Sequence, residues 1–273
     1  MIVLRSHHFY VILQSLSEKT LKMAKQAMIF AAGLGTRLKP LTDTKPKALI
    51  PVGGETLIGR TIRRLLTFDY RDFVVNVHHF AKDIEAFVAE QDYAKFVRFS
   101  DETEQLLETG GGLKKAAPLF DPNEPILIHN VDILDNVDYN WFANQHQADE
   151  DAVLLVSRRQ TKRSLLFDNG MRLMGWKNIE TGEVKSPYEY VRRTGLSQHG
   201  EELHMFAFSG IHSFSPRLFP LMDRFPDKFS IIDFYLSVCH RSRIMGLVKD
   251  DLEMIDVGKL DSLQQAEQFL KEH

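Results

Sequence analysis

From Met28 to Val52 the chain reads MIFAAGLGTRLKPLTDTKPKALIPV, with two glycines, an arginine and several lysines and prolines directly after an apolar run. Gly33 and Gly35 let the backbone turn tightly and point its N–H groups at a phosphate with no Cβ in the way. Arg37 and Lys47 supply positive charge, and Pro40, Pro46 and Pro51 keep the segment out of regular structure. A loop of this composition at the end of a strand is equipped to hold an anion. It is not a P-loop, because no Gly-Lys-Ser/Thr follows, and it is not the dinucleotide fingerprint, because the third glycine is missing.

Two other stretches carry chemistry. Asn130-Val131-Asp132 closes the apolar run 125–128, where an acidic side chain is costly to hold unless it binds something. Leu107-Glu108-Thr109-Gly110-Gly111-Gly112 reads as a flexible turn ahead of a helix. His78 and His79 end another apolar run, a place that suits either a pocket wall or a structural hydrogen bond.

The elements that must position these residues follow from hydrophobic period. Residues 26–32, 73–77, 96–99 and 125–128 are short apolar runs closed by turn residues and predict buried strands. Residues 56–68 carry Leu57, Ile58, Ile62, Leu65 and Leu66 at helical spacing, and 81–91 place Ile84, Phe87 and Val88 on one face. A short helix is expected over 113–119. Strands alternating with helices at these lengths imply right-handed crossovers and an α/β fold with a mostly parallel sheet covered on both faces. Ligands of such sheets sit at the carboxyl ends of the strands, so the loops after Ala32, Val77, Phe99 and Ile128 should face one crevice.

The second half alternates less regularly. Strands are expected at 152–157, 205–214, 244–248 and 254–257, with a hairpin around Asp168-Asn169-Gly170 and helices at 230–241 and 260–271. Residues 177–203 are polar and carry no clear period.

The string GLGTRLKPLTDTKPKALIPV resembles the signature of the sugar-1-phosphate nucleotidyltransferases, G-x-G-x-R-L-x-P-x-T-x-x-x-P-K-x-L-x-P-V, at every fixed position. The resemblance covers residues 24–273, strongly in the first half and more loosely after 150. It implies a Rossmann-like, three-layer α/β/α domain with a mixed, mostly parallel central sheet. It also implies a reaction: an oxygen of a sugar 1-phosphate attacks the α-phosphorus of a nucleoside triphosphate, and pyrophosphate leaves. Both reactants are anions, so fixed cations and a metal are what lower such a barrier.

By the same resemblance Ala32, Gly33, Gly35 and Thr36 meet the nucleotide, Arg37 holds the triphosphate and the departing pyrophosphate, and Lys47 neutralises the reacting phosphates. Asp132 is implied as a metal ligand, with Val131 standing where the family usually has glycine. The form Asp256-Val257-Gly258 matches the family's second metal aspartate. Two carboxylates that leave positions open for phosphate oxygens and water suit Mg²⁺. Thr109, Gly110 and Gly111 correspond to the loop that meets the nucleobase. Asn130, Lys177 and Gly210 correspond to the sugar side.

The form Leu-Glu-Thr-Gly-Gly-Gly resembles that of the bacterial N-acetylmuramate 1-phosphate uridylyltransferases, implying UTP and that sugar phosphate as substrates. The alternative is a guanylyltransferase using GTP with mannose 1-phosphate or heptose 1-phosphate. A metal-dependent glycosyltransferase would not need Arg37 and Lys47, and a non-catalytic regulatory homologue would not need to retain both aspartates.

Composition sets outer bounds. The chain has 273 residues, 44% of them apolar and 26% charged, as in globular proteins, and we expect one domain over 23–273. Lys and Arg number 34 against 37 Asp and Glu, a net charge of −3, so positive charge must be local and a nucleic-acid partner is not expected. No apolar run reaches the ~20 residues that cross a bilayer, and no membrane partner is expected. The single Cys239 fits a reducing cytoplasm. Residues 1–22 precede the start-like Met23-Ala24-Lys25 and are expected to be an upstream extension from a misplaced start codon. Nothing in the residues bears on oligomeric state.

Overall fold

The computed structural model describes residues 24–272, so the expectation for residues 1–22 lies outside the described residues. The chain opens with β1 (Lys25–Phe30), buried through its middle. A loop holding three single 3-10 turns leads to the ribbon β2 (Pro51–Val52) and β3 (Glu55–Thr56). Thr56 then caps α1 (Leu57–Leu66), its hydroxyl accepting the Gly59 N–H at 3.2 Å. The series β4 (Tyr70–Val77), α2 (Ala81–Ala89), β5 (Val97–Asp101), α3 (Glu108–Ala116) and β6 (Ile126–Asn130) follows the expected alternation.

A short β7 (Ile133–Asp135) and α4 (Tyr139–Ala143) lead into β8 (Ala152–Ser157), β9 (Arg163–Phe167), β10 (Leu173–Asn178) and β11 (Val184–Lys185). Next come α5 (Glu189–Thr194), β12 (His204–Phe214), α6 (Phe219–Met222) and α7 (Ile231–Val238). β13 (Ile244–Val248), β14 (Met254–Asp256) and α8 (Leu260–Glu272) close the described chain. Residues 177–203, which have no legible period, supply the end of β10, then β11 and α5.

The main sheet runs β11-β10-β9-β12-β6-β1-β4-β5, with β8 paired on β12 and β13 on β8. It is mixed. β6, β1, β4 and β5 are mutually parallel, whereas β12 is antiparallel to β6, β8 and β9. Successive residues of β1 enter opposite layers: Ala27 and Ile29 pack with α1, α2 and α8, while Met28 packs with α3 and α7. That division is why the parallel strands read as unbroken apolar runs: both faces are covered.

One expectation fails locally. The TGGG stretch is not a turn ahead of a helix at 113; α3 already begins at Glu108, which takes a left-handed φ of 63°. The glycines lie in its first turns because neighbours occupy the space where side chains would stand: Phe229 at Gly110, Asp227 at Gly111, and Glu102 with Asn76 at Gly112. Among the described residues no helix is long and apolar enough to cross a membrane.

Candidate active site

At the carboxyl ends of β1, β4 and β6 the sheet opens into a cleft of about 470 Å³. Its lining includes Ala32, Gly33, Gly35 and Thr36 from the first loop, together with Arg37 and Lys47. Apolar residues that follow each cation pin that loop down: Leu38, Ala48 and Ile50 are buried. Thr42, also buried, donates its hydroxyl to the Gly35 carbonyl at 2.9 Å and closes the turn. Arg37 and Lys47 thus project from 3-10 turns whose backbone is fixed from behind.

The opposite wall is built by β6 and the turn that follows it. Asn130 and Asp132 line the cleft, and Val131 is buried with its N–H on the Phe30 carbonyl at 3.1 Å. Asp256 arrives through a separate two-stranded ribbon, in which β14 pairs antiparallel with β7 and sets Asp256 opposite Ile133. The Val257 N–H donates to the Asp132 carbonyl at 2.8 Å, so the two aspartates are locked together by backbone.

Cations and carboxylates face one another across this junction. Lys47, with its side chain 10% exposed, contacts Asp132 Oδ2, and Arg37 lies 3.8 Å from Asp256 Oδ2. The Arg37 guanidinium also lies against Gly258, where a Cβ would come within 2.6 Å of it. Loss of solvent raises the Asp256 pKa above the ordinary carboxylate range, and the Asp132 charge pushes the same way, against Lys47 and Arg37. Two neighbouring carboxylates that repel each other fit a divalent cation, whose charge relieves that repulsion. When bound, such an ion would be held by Asp132 and Asp256 and would supply positive charge toward phosphate oxygens.

The remaining expected residues divide. Thr109 lines the cleft beside Leu106 and Glu108, and its hydroxyl accepts the Ile231 N–H at 3.0 Å. Gly110 and Gly111 do not line it. They lie behind the wall, with their N–H groups on the Phe229 carbonyl at 2.9 and 3.2 Å, and a Cβ on Gly111 would strike the Asp227 carbonyl. Their lack of side chains serves helix packing, a reason that depends on a distant segment. Gly210 lies just behind Asn130 at φ +80°, where a Cβ would stand 2.6 Å from the Asn130 Nδ2. It bends β12 and leaves room for that amide.

A second cavity, of about 920 Å³, adjoins the first and shares Arg37 and Ser230 with it. Six cations line it, Arg37, Arg159, Lys162, Arg163, Lys185 and Lys259, against three carboxylates, Glu183, Asp233 and Asp256. Lys177 is not in its lining, whereas Trp176 and Asn178 are, as strand alternation requires. Lys185 enters instead from β11, in register with Trp176 and 5.2 Å from its ring centroid. His78 and His79 line neither cavity; the His78 Nδ1 meets the Glu102 carbonyl at 2.6 Å and His79 packs on Phe80.

Sequence reasoning missed Asn76, buried at the floor of the cleft and part of its lining, and Glu102, buried beneath it. It also missed the arginines of the second cavity. A polar Asn inside the apolar run of β4 was the one available signal for the first pair.

A glycine loop with fixed cations, facing paired carboxylates across the carboxyl edge of a mixed α/β sheet, defines a phosphate-handling nucleotide enzyme. Residues 26–273 match the family model described as nucleotidyl transferase, and the chain belongs to that family. It is a nucleotidyltransferase. It is 30% identical over 235 residues to the N-acetylmuramate alpha-1-phosphate uridylyltransferase of Caulobacter vibrioides, covering 84% of this chain and 90% of that one. The enzyme of the same name from Neisseria meningitidis serogroup B is 38% identical over 115 residues, 42% of this chain and 49% of that one. The solved structure of HddC from Yersinia pseudotuberculosis, complexed with GMP-PN, shares the fold with a TM-score of 0.69 at 20% identity, covering 90% and 99% of the two chains.

Proposed function

We propose that the protein transfers a uridylyl group from UTP to N-acetylmuramate 1-phosphate with Mg²⁺, releasing pyrophosphate. The observation that carries the choice of sugar is the excess of cations in the second cavity. Lys47, with a metal held at Asp132 and Asp256, would already answer the charge of the reacting phosphates. Lys162 and Lys185 already pair with Glu180 and Asp233, but among the described residues a neutral sugar such as mannose leaves Arg159, Arg163 and Lys259 without a carboxylate, whereas the lactyl group of N-acetylmuramate gives them one. The ring of Trp176 offers a flat apolar surface for the sugar body.

In this reading the triphosphate lies along the glycine loop. Arg37 is directed at the pyrophosphate, which leaves as the bond between the α-phosphorus and its bridging oxygen breaks. Lys47 neutralises the α-phosphate as the sugar-phosphate oxygen forms its new bond there. Asp132 and Asp256 hold Mg²⁺. Leu106, Glu108 and Thr109 form the base side of the cleft, with Gly110 and Gly111 supporting them from behind. Asn130 reaches toward the sugar, and Lys185 takes the part expected of Lys177. We place the reaction in the cytoplasm, where a lone buried thiol such as Cys239 stays reduced.

Pyrophosphate release tests this with UTP or GTP against the 1-phosphates of N-acetylmuramate, N-acetylglucosamine, mannose and heptose. UTP with N-acetylmuramate 1-phosphate should give the highest kcat/KM, and N-acetylglucosamine 1-phosphate, which lacks the carboxylate, should fall about tenfold or more below it. Preference for GTP with mannose 1-phosphate or heptose 1-phosphate would replace the reading by that of a guanylyltransferase.

A further inference from the structure

Two buried polar residues join the halves of the nucleotide cleft from below. Asn76, near the end of β4, is 3% exposed, and Glu102, just after β5, is fully buried. The Oδ1 of Asn76 accepts the N–H groups of Ala31 at 2.8 Å and Ala32 at 3.4 Å, where the glycine loop begins. Its Nδ2 donates to Glu102 Oε1 at 2.7 Å. Glu102 Oε2 in turn accepts the Leu107 N–H at 3.0 Å, one residue ahead of α3. Helix α3 rests directly on the pair at Gly112, where a Cβ would stand 2.5 Å from Glu102 Oε1 and 3.0 Å from Asn76 Nδ2.

This chain of bonds runs from the backbone that precedes the glycine loop to the backbone that presents Glu108 and Thr109. Every polar atom of both side chains has a partner, which is the condition under which a buried network rigidifies rather than weakens its surroundings. Burial raises the Glu102 pKa, and the two N–H donors that it accepts oppose that shift.

We propose that Asn76 and Glu102 are positioning residues for the nucleoside triphosphate, holding the phosphate loop and the base-side segment at a fixed separation. The inference rests on the nucleotidyl-transfer reading of the cleft. It gives the pair an effect on the nucleotide and none on the sugar phosphate, which the second cavity holds.

Donor and acceptor order along the chain supplies the test. In Glu102→Gln a single oxygen must serve two donors, and the new amide confronts one of them. In Asn76→Asp two carboxyl groups meet at the central link. The double variant Asn76→Asp/Glu102→Gln restores every bond with the central one reversed: the new amide donates to the new carboxylate, which still accepts from Ala31, and the amide oxygen accepts from Leu107. Each single variant should raise KM for UTP about tenfold, with kcat and the sugar-phosphate KM little changed. The double variant should recover most of that loss, as a coupled pair does in a double-mutant cycle. Thermal melts of all variants report the fold.

Singles that leave the UTP KM at the wild-type value, or that raise both KM values alike, overturn the inference. So does a double variant as poor as the product of the singles. Calorimetric titration with UTP and Mg²⁺ repeats the comparison without turnover. A wild-type protein that binds UTP yet ignores N-acetylmuramate 1-phosphate overturns the sugar assignment, and the order of the variants' Kd values still decides on the pair.

Discussion

At the scale of single residues, the site pairs each cation with a carboxylate: Lys47 with Asp132, and Arg37 with Asp256 at 3.8 Å. Side chains of Arg37 and Asp256 are 57% and 51% exposed, so their pairing adds little stability and leaves the guanidinium available to phosphate. Arg37→Met should therefore lower kcat by about 10²–10³, the usual loss of one charge-stabilising donor. Arg37→Lys should recover only part of it, because the planar fork is gone; pyrophosphate release at saturating UTP measures both. Asp132→Ala should abolish turnover at saturating Mg²⁺ while the circular dichroism spectrum stays that of the wild type. Near-normal turnover by that variant would remove Asp132 from the metal site. Arg37 and Lys47 were legible because they sit in one fixed linear pattern, and Asp132 and Asp256 because each belongs to a short motif of its own. Arg159, Arg163 and Lys185 were not, because only the fold brings them to one cavity.

At the scale of elements, the strands and the longer helices could be read from apolar period, and most boundaries fall within a few residues of the expected ones. What escaped depended on partners far along the chain. Gly110 and Gly111 look like a turn because glycine disfavours helices, yet the Phe229 ring and the Asp227 carbonyl pack where their Cβ atoms would be. Gly111→Ala should accordingly force α3 away from that segment. The cost should be about 1–3 kcal/mol, as for other overpacked sites, seen as a melting temperature several degrees lower. An unchanged melting temperature would refute the packing role. Lys185, which the sequence does not single out, escapes for a similar reason: alternation along β10 turns Trp176 and Asn178, not Lys177, into the cavity, and which side that is requires the register with β11.

At the scale of the whole molecule, the mixed sheet explains how distant residues converge. Parallel strands bring the glycine loop and Asp132 to one edge, and the small β7–β14 ribbon carries Asp256 back to the same place. Antiparallel β12 then joins this nucleotide half to the strands that frame the second cavity. Behind that junction His212, in register with Ile128 of β6, is buried and shares a 2.7 Å hydrogen bond with the Tyr235 hydroxyl. Burial lowers its pKa to about 3, whereas an unfolded histidine titrates near 6.5. The unfolded chain therefore binds the extra proton, so the stability held by neutral His212 is complete above about pH 6.5 and is lost as pH falls toward 3. Between pH 7 and pH 5 the loss should be about 2 kcal/mol. Glu102, with its raised pKa, acts in the opposite sense and is common to any His212 variant, so it cancels in a comparison. His212→Gln should be less stable than the wild type at pH 7 and should close most of that gap by pH 5 in urea titrations. Two proteins whose stabilities fell in parallel between those pH values would show that His212 is not the group responsible.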